Sequence, residues 1–429
     1  MNTHKNDKDL EKDLEKIRRT NFYVLIFNAL FYGFGSSLYF IVYIPYLYEF
    51  TDSILLIGVI TTMGSVLQFL PMPWIGRLSD KYGRKLFWYF DSPLMILGLF
   101  FFIIANNLFI VIAGVLSYSF GFGIGYSIYQ VLVLENSKDT KKGFNYGSLG
   151  FLMSVGGIAG SFFVLANSGF NRRIFFLIFI IILGIAYLFV MIFITDPIPR
   201  KYEKKLRPRK LTKTEKGSWK KILTTSKTRA IVFYFTLNAF IYSISLSIYS
   251  AGIINQYQIT QQDIALLSLC SKISFILLQI PSGHLTDKIG KTKTLIISEL
   301  FGLSFFSLLI ISFFLWSSGF EFIILPLLIT GEIIWAVNQT TFAPSEAITT
   351  TNLDENRRAE SFGILALIRG FGVMPTGIIA GILIARVHYI VPFVITIMGI
   401  IFKIWFLLKI FDKDRQKTNH NDLSKELRV

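Results

Sequence analysis

The sequence predicts an all-α integral membrane protein with twelve transmembrane helices in two pseudo-symmetric bundles of six. Three observations lead to this fold class. Hydrophobic residues make up 53% of the 429 residues and the mean hydropathy is +0.55, which lies far outside the range of soluble domains. Apolar runs of about 20 residues, the length that crosses ~30 Å of hydrocarbon as a helix, recur along the chain. A polar, glycine-rich motif occurs twice, which indicates duplication of a six-helix unit.

Each half of the chain contains six apolar spans. Only helices and closed barrels satisfy every backbone hydrogen bond inside a bilayer, and barrel strands alternate polar with apolar residues. These spans show no such alternation, so each is predicted to be a helix. The spans lie near residues 22 to 48, 54 to 76, 86 to 104, 108 to 134, 147 to 166, 174 to 195, 230 to 255, 262 to 282, 294 to 315, 322 to 348, 361 to 384 and 389 to 410.

The spans divide the chain into five segments. The N-terminal segment is polar, repeats the pattern Asp-Leu-Glu-Lys and has no apolar core, so we expect a tail and no cleavable signal peptide. The central linker carries thirteen basic and three acidic residues. It is either a solvated connector or contains a short amphipathic helix on the anionic membrane surface. The predicted segments are a cytoplasmic tail at 1–20, a six-helix bundle at 21–195, the basic cytoplasmic linker at 196–229, a second six-helix bundle at 230–410 and a cytoplasmic tail at 411–429.

The basic residues are distributed unequally between the two ends of the predicted bundles. Of the 43 Lys and Arg, 37 lie in the tails and the even-numbered connections, while the odd-numbered connections hold only Arg172, Arg173 and Arg386. Because cytoplasmic loops of membrane proteins collect positive charge, this asymmetry predicts a multi-pass protein of the cytoplasmic membrane with both termini in the cytoplasm. It also explains the net charge of +16 without a nucleic-acid partner.

The repeated motif lies between the second and third spans of each half. The first copy covers residues 76–85 and the second 283–293, and both read Gly-x-Leu-x-Asp-Lys-x-Gly followed by basic residues. A basic turn alone would satisfy the positive-inside rule. It would not require the same Gly, Leu, Asp, Lys and Gly positions in both copies, so the recurrence indicates a specific role for these positions.

Each position of the motif has a physical explanation. The first glycine of each copy allows close helix approach, and the second can adopt the positive φ that ends a helix. The aspartates can cap the N-terminus of a neighbouring helix, and the basic residues hold the turn at the cytoplasmic headgroups. The residues concerned are Gly76, Asp80, Gly83, Arg84 and Lys85 in the first copy and Gly283, Asp287 and Gly290 in the second.

These residues resemble the signature loop of the major facilitator superfamily, with its weaker echo in the second half. The resemblance covers about residues 20 to 410 and implies two halves that rock around a central site. It implies that Asp80 docks against the start of the eleventh helix, near Ser361 and Gly363, and stabilises the outward-facing state. It further implies that Arg84 cooperates with Glu135 at the cytoplasmic end of the fourth helix. The motif would thus act as a conformational switch.

Within this family the sequence resembles drug or metabolite exporters, with two departures. Antiporters of the family tend to carry Gly-Pro-x-x-Gly-Gly in the fifth helix, whereas residues 156–160 read Gly-Gly-Ile-Ala-Gly. Proton-coupled exporters commonly hold an arginine in the middle of the fourth helix, and residues 116–123 contain none. Proton antiport through such an arginine is therefore not expected. Separately, the fifth helix of each half has the small-x-x-x-small spacing of closely packed helices, in Gly156 with Gly160 and Gly377 with Gly381.

Three charged residues lie within spans but close to the predicted cytoplasmic face. Asp91 and Glu299 follow the last motif glycine by eight and nine residues, which is about two helical turns. Their equivalent places predict a structural role in which both acids pair with cations of the motif. Lys403 lies about two turns from the inner end of the last span, so its long side chain is predicted to reach the membrane interface.

Glu332, Lys272 and Arg369 lie about eight to ten residues inside their spans. Ionisable groups at this depth are costly and suggest function. The family resemblance places helices one, four, seven and ten around a central cavity, so Glu332 is expected to face the translocation path, with Lys272 or Arg369 as its partner. A carboxyl group there could bind a proton in one state and release it in another. A buried ion pair that never meets substrate is the alternative.

The four cavity helices also carry amides and aromatic rings. Such a mixed lining suits an amphipathic organic molecule, and the rings favour a cation. Aromatic residues make up 16% of the chain, so part of them will face lipid instead. The residues assigned to the substrate or proton pathway are Glu332, Lys272, Arg369, Asn28, Tyr118, Tyr126, Asn238, Tyr242, Trp335 and Asn338.

Together these features predict a secondary transporter for a small organic solute. The chain has no Gly-x-x-x-x-Gly-Lys-Ser/Thr loop, so an ion or solute gradient, with protons as the expected ion, would supply the energy without a bound cofactor. The four histidines lie in tails or at loop edges and Cys270 is the single cysteine, so no catalytic residue, metal site or enzyme activity is expected. We expect a monomer in the lipid bilayer that exports a hydrophobic or cationic compound. Uptake of a sugar or organic anion, bound by Lys272 and Arg369, and a non-transporting receptor are the alternatives.

Overall fold

The computed structural model describes residues 2–136, 142–195, 226–350 and 358–426. Most of the predicted linker, residues 196–225, lies outside this part of the chain. Some helical residues are described by their backbone alone, among them Gly283, Asp287 and everything after Lys409. Within the described residues there are twelve helices long and apolar enough to cross a membrane and no strands. The predicted fold class is confirmed.

Six helices form the N-terminal half, and the second is broken. α1 begins at Asn2, so residues of the predicted N-terminal tail continue into the first transmembrane helix. The second helix breaks at Pro71, because proline has no backbone N–H to continue the hydrogen-bond ladder. The helices are α1 (Asn2–Leu47), α2a (Ile54–Phe69), α2b (Met72–Tyr82), α3 (Arg84–Ile104), α4 (Leu108–Asn136), α5 (Lys142–Ala166) and α6 (Arg172–Phe193).

Six helices also form the C-terminal half, with breaks in the seventh and the eleventh. The eleventh helix breaks at Pro375, as the second does at Pro71. α8 begins with a capping box, in which Thr260 and Asp263 each accept a hydrogen bond from the other's backbone N–H. The helices are α7a (Ser226–Leu246), α7b (Tyr249–Tyr257), α8 (Gln261–Ile289), α9 (Lys291–Ser317), α10 (Ile324–Thr350), α11a (Arg358–Val373), α11b (Thr376–Arg386) and α12 (Val391–Glu426).

The two halves meet along two pairs of helices, α2 with α11 and α5 with α8. Glycines bring the backbones of α2 and α11 close together. A Cβ atom at Gly58 would collide with the carbonyl oxygen of Gly377, and one at Gly363 would lie 2.6 Å from the carbonyl oxygen of Met72. Any larger residue at these places would push the halves apart.

The predicted close-packing glycines of the fifth helices are confirmed, but the two pairs face different partners. Gly377 of α11b packs against α2a, and so against the other half. Gly156 and Gly160 of α5 face the carbonyl oxygens of Leu30 and Phe34 in α1, within the same half. The glycine pair of α5 therefore allows close packing within the N-terminal bundle, and the glycine pair of α11b allows close packing between the two bundles.

Apolar residues of both halves close one side of the molecule. We call the side on which α1 begins and α2b ends the termini side, and the side on which α1 ends and α2a begins the far side. On the far side Tyr46 and Ile57 belong to one buried cluster with Ile248, Ala251 and Ile264 of the C-terminal half. This cluster therefore packs the two halves against each other on the far side.

Candidate functional site

The repeated motif forms the same turn in both halves. Gly83 has φ 102° between α2b and α3, and Gly290 has φ 85° between α8 and α9. Such values favour glycine, because a Cβ atom would clash with the backbone. The predicted helix-ending conformation is confirmed at both glycines, so each copy of the motif places its basic residues at the start of the next helix.

The first copy of the motif is built around a buried arginine, and we call this group the Arg84 cluster. The Arg84 guanidinium of α3 lies 2.5 Å from an Asp80 carboxylate oxygen of α2b and 2.8 Å from one of Glu135 at the end of α4. Its Nε donates a second hydrogen bond of 3.3 Å to Glu135, and its Nη1 donates one of 3.1 Å to the Ser79 hydroxyl. One cation therefore joins three helices through a bidentate pair and two further contacts.

The Arg84 cluster lies beside the junction of α2b with α11a. Gly363 of α11a packs on the backbone of Met72, and the ring of Tyr126 on α4 lies 6.0 Å from that of Phe362. The Ser361 side chain and residues 351–357 lie outside the described part, so docking of Asp80 against the start of this helix stays a prediction. The Lys85 ammonium lies 5.5 Å from the centre of the Tyr89 ring.

A second buried charge pair, the C-half ion pair, lies inside the C-terminal half. Lys403 Nζ of α12 is 2.7 Å from Glu299 Oε2 of α9, and both side chains are 0% exposed. Tyr234 and Tyr242 of α7a donate hydrogen bonds of 2.6 and 2.8 Å to the two Glu299 oxygens. Lys403 donates one of 2.6 Å to Asn238. Both ions thus have hydrogen-bonded partners, as buried charges require.

The C-half ion pair corrects two expectations. Glu299 does not pair with cations of the repeated motif, because its carboxylate faces α12. Lys403 does not reach the membrane interface, because its ammonium lies 3.7 Å from the centre of the Tyr242 ring inside the bundle. One signal in the sequence could have found this site. Tyr234, Asn238 and Tyr242 are spaced four residues apart, which puts three polar groups on one face of α7a.

Four predicted pathway residues surround the C-half ion pair. Asn238 and Tyr242 contact it directly, and Asn338 of α10 donates hydrogen bonds of 3.2 Å to the Tyr242 hydroxyl and 2.6 Å to the Ser298 carbonyl. The ring of Trp335 meets Tyr242 edge-on at 5.3 Å. The structure therefore brings these residues together. The polar groups of Asn238, Tyr242 and Asn338 form hydrogen bonds with other residues of the C-terminal half.

Asp91, the equivalent acid of the N-terminal half, has no such partner. It is 7% exposed, and its Oδ1 accepts hydrogen bonds from the backbone N–H and the hydroxyl of Ser92, the latter at 2.8 Å. Among the described residues no Lys, Arg or His lies within ion-pair distance of Asp91. The expectation that it pairs with motif cations is therefore wrong for those cations that are described.

Lys272 lies where the two halves meet. Its ammonium donates hydrogen bonds of 3.1 Å to Ser161 of α5 and 2.5 Å to Ser268 of α8, and the two serine hydroxyls lie 3.0 Å apart. Its methylene groups fill the space beside Gly157. Lys272 is thus a partly buried cation that contacts both halves through neutral hydroxyl groups.

Glu332 lies near this lysine. The residue is 9% exposed on α10, and its carboxylate lies beside the hydroxyl groups of Tyr249 and Ser271, with Lys272 as the nearby cation. Arg369, the other predicted partner, instead stacks on the ring of Phe235 at 4.7 Å. Of the three deep charges, Glu332 and Lys272 therefore lie near each other, but they do not form a direct ion pair in the described residues.

The predicted pathway residues of the N-terminal half lie in different surroundings. Tyr118 is 3% exposed and stacks on Tyr39 at 4.0 Å within the aromatic core. Tyr126 is 37% exposed, and it faces α11a. Asn28 is partly buried on α1. Tyr126 is thus the most accessible of the three.

Polar contacts reinforce the closed far side. Arg172, at the start of α6, lies 2.5 Å from Glu49 of its own half and donates a hydrogen bond of 3.1 Å to Gln261 of α8 in the other half. Tyr48 donates one of 3.0 Å to the carbonyl of Ala251, again across the junction. Burial raises the pKa of the Tyr48 phenol to about 12, and nearby Asp52 adds to the shift, so this group stays a neutral donor near pH 7.

Arg172→Gln is expected to loosen the far side. The contact with Glu49 is partly exposed, so its loss should cost about 0.2–1 kcal/mol and favour the opening of the apolar cluster by about 1.4- to fivefold. The measurement is the rate at which a water-soluble maleimide labels Ala265→Cys, placed in that cluster, in a Cys270→Ser background. Arg173→Gln is the matched control, because Arg173 binds the Ala105 carbonyl within its own half. Equal labelling rates in the two variants would contradict the role of Arg172.

The fold and these sites define an integral membrane protein of two six-helix halves, with buried charges at the motif, inside one half and at the junction. A sequence model of the Major Facilitator Superfamily matches residues 25–250 and 231–428. The chain belongs to this superfamily. The resemblance inferred from the motif is thereby confirmed.

Two solved structures share the fold at low sequence identity. The human organic anion transporter MFSD10 (TETRAN) is 14% identical, with a TM-score of 0.64 over 92% of this chain and 99% of that one. The nucleoside transporter NupG is 15% identical, with a TM-score of 0.65 over 92% of this chain and 100% of that one. A search of curated proteins finds no match. The neighbours therefore establish the architecture and not the substrate.

Proposed function

We propose that the chain is a secondary transporter that moves a small organic solute across the cytoplasmic membrane by alternating access, exporting a hydrophobic or cationic compound in exchange for protons. The termini side would face the cytoplasm. The observation that carries the proposal is the position of Glu332, a buried acid of α10 that interacts electrostatically with Lys272, a lysine that also contacts the other half. Ionisable groups in the membrane interior mark ion and substrate pathways.

The contacts of Lys272 suggest how proton binding and rocking could be coupled. Its ammonium bonds to Ser161 in the other half, so separation of α5 from α8 would leave Lys272 with partners on its own half alone. The position of its charge relative to Glu332 would then change. A carboxyl group away from a cation favours proton uptake, and the approach of a cation favours release. Such a cycle would need no arginine in α4.

The aromatic character of the junction supports a hydrophobic or cationic substrate. Tyr126 is partly exposed beside Phe362, and Tyr249 lies beside the Glu332 carboxylate. Rings next to an acid can bind an organic cation by charge and by cation–π contact. Tyr126 contacts the other half through Phe362, at the junction where an alternating-access transporter would bind its substrate.

Uptake of an organic anion is the second candidate, and Lys272 favours it. An ammonium between two serine hydroxyls is a set of donors that suits a carboxylate, and one solved neighbour is named as an organic anion transporter. The two candidates differ in the residue that binding requires. Lys272→Met should abolish binding of an anion, while Glu332→Gln should abolish binding of a cation.

Glu332→Gln is expected to remove the response of transport to a pH gradient. The amide keeps the size of the side chain but binds no proton, so gradient-driven accumulation should fall about tenfold or more, equivalent to losing at least 1.4 kcal/mol of coupling. The measurement is flux into proteoliposomes under an imposed pH gradient. The substrate is chosen by thermal-shift screening against metabolites and drugs, because a ligand of the folded state raises its apparent stability.

Glu321→Gln is the matched control for this experiment, because Glu321 is exposed in the connection before α10. It should transport like the unmodified protein. The proton-coupling proposal would be wrong if flux through the unmodified protein did not depend on the pH gradient and if Glu332→Gln left that flux unaltered. Ligand binding without any flux would instead support the receptor alternative.

A further inference from the structure

We propose that Asp91 is a proton-binding site in the N-terminal half, distinct from Glu332. The proposal rests on the surroundings of Asp91 and does not depend on the transport function proposed above. Asp91 lies on α3, two helical turns beyond the turn glycine Gly83, on the opposite half of the molecule from Glu332. A proton at this site would neutralise an acid that the protein otherwise buries without a cation.

The groups that face Asp91 come from four helices, and none of them is basic. α3 contributes Trp88 and Ser92, and α4 contributes two glycines, Gly121 and Gly125. The phenols of Tyr32 on α1 and Tyr187 on α6 are close enough to interact electrostatically with the Asp91 carboxylate. Of the two cations on α3, Arg84 is held by Asp80 and Glu135, and the Lys85 ammonium lies over the ring of Tyr89. Within the described residues the acid is therefore surrounded by neutral groups.

The C-terminal half shows what an acid at the equivalent place needs. Glu299 follows its turn glycine by nine residues and has Lys403 of α12, the last helix of its half, at 2.7 Å. The last helix of the N-terminal half is α6, and between Arg173 and its end at Phe193 the sequence contains no Lys, Arg or His. The N-terminal half thus repeats the acid but not the cation. A bound proton would replace the charge that Lys403 supplies in the other half.

The contacts of the two Asp91 oxygens fit a neutral carboxylic acid. Both hydrogen bonds from Ser92 go to Oδ1, which the carbonyl oxygen of a protonated acid can accept as an ionised carboxylate can. Oδ2 faces Gly125, and a Cβ atom there would lie 2.5 Å from it. The glycine thus leaves room for this oxygen and its proton. Hydrogen bonds from neutral donors return only part of the cost of burying an ion, so the neutral acid is favoured.

Infrared spectroscopy of the purified full-length protein tests the proposal. A protonated carboxyl group has a carbonyl stretch well separated from that of a carboxylate. At neutral pH we expect such a band in the unmodified protein, its loss in Asp91→Asn and its retention in Glu332→Gln and in Asp263→Asn. Asp263 is a partly exposed residue of the α8 capping box. A protonated-carboxyl region that is identical in Asp91→Asn and the unmodified protein would overturn the proposal.

Ser92→Ala keeps the test decisive if Asp91→Asn fails to fold. Removing the Ser92 hydroxyl takes one hydrogen bond from Oδ1, so the band should move to higher frequency without being lost. A band at its original position would show that it belongs to another residue, and the proposal would fail. The proposal would also fail if added Na⁺ raised the melting temperature of the unmodified protein but not that of Asp91→Asn. Asp91 would then be ionised and would bind a metal cation instead of a proton.

Discussion

Glu299→Gln is expected to lower the free energy of unfolding by about 3–5 kcal/mol, the loss seen when one partner of a buried ion pair is removed. The substitution changes the volume of the side chain very little. It leaves the Lys403 ammonium 0% exposed and without its counter-ion, on a helix that cannot reach water without repacking. Tyr234 and Tyr242 also lose a charged acceptor for their hydroxyl groups. The measurement is reversible unfolding of the purified protein in mixed micelles.

A double variant separates the charge from the packing. Lys403→Met alone should lower the free energy of unfolding by a similar amount, because it leaves the buried Glu299 carboxylate without its counter-ion. Glu299→Gln combined with Lys403→Met removes both charges, so we expect the double variant to recover to within about 1 kcal/mol of the unmodified protein. Glu321→Gln serves as the control for an exposed acid. Strictly additive losses in the double-mutant cycle would show that the two side chains do not interact and would contradict the structure.

The overall fold could be predicted because it depends on signals that are local in sequence. Apolar runs long enough to span a bilayer allow few structures other than helices, and the repeated motif marks the start of the third helix in each half. The positive φ of Gly83 and Gly290 could be predicted for the same reason, because a helix end that requires positive φ is encoded by a single glycine. These features need no knowledge of which helices are neighbours.

The partners of the buried charges could not be predicted, because they depend on the rotation and packing of each helix. Asp91 and Glu299 occupy equivalent places in sequence, yet Glu299 pairs with Lys403 and Asp91 with no described cation. The distance of Lys403 from the end of its span indicated how deep it lies in the membrane. It did not indicate that the side chain points into the bundle. Arg369 was a plausible partner for Glu332 by depth alone and stacks on Phe235 instead.

The contact of Arg84 with Glu135 could not be predicted from local sequence, but the family resemblance suggested it. The residues are 51 positions apart, and nothing in their spacing predicts contact. The family resemblance suggested that they cooperate, and the structure places them 2.8 Å apart. Whether the Arg84 cluster acts as a conformational switch stays a prediction, and it leads to the second large expected effect.

Arg84→Met is expected to shift the protein away from the conformation described here by about 3 kcal/mol, at the low end of the range for buried ion pairs because Asp80 and Glu135 lie close to water. This corresponds to a change of about 100-fold in the population of the conformation. The methionine fills similar space but removes the guanidinium that Asp80 and Glu135 share. α2b, α3 and α4 would lose their common partner at the place where α2b packs on α11a.

The measurement is the distance between spin labels on the termini side of the two halves, which needs no known substrate. Arg77→Met is the matched control, because Arg77 belongs to the same copy of the motif and is exposed. Arg84→Lys should show an intermediate shift, since an ammonium keeps the charge but cannot form the bidentate contact with Glu135. If Arg84→Met and Arg77→Met gave the same distance distribution while both stayed folded, the Arg84 cluster would hold its own half together without controlling the junction. Asp80→Asn would then also leave transport unchanged, and the role of the motif would be confined to ending one helix and starting the next.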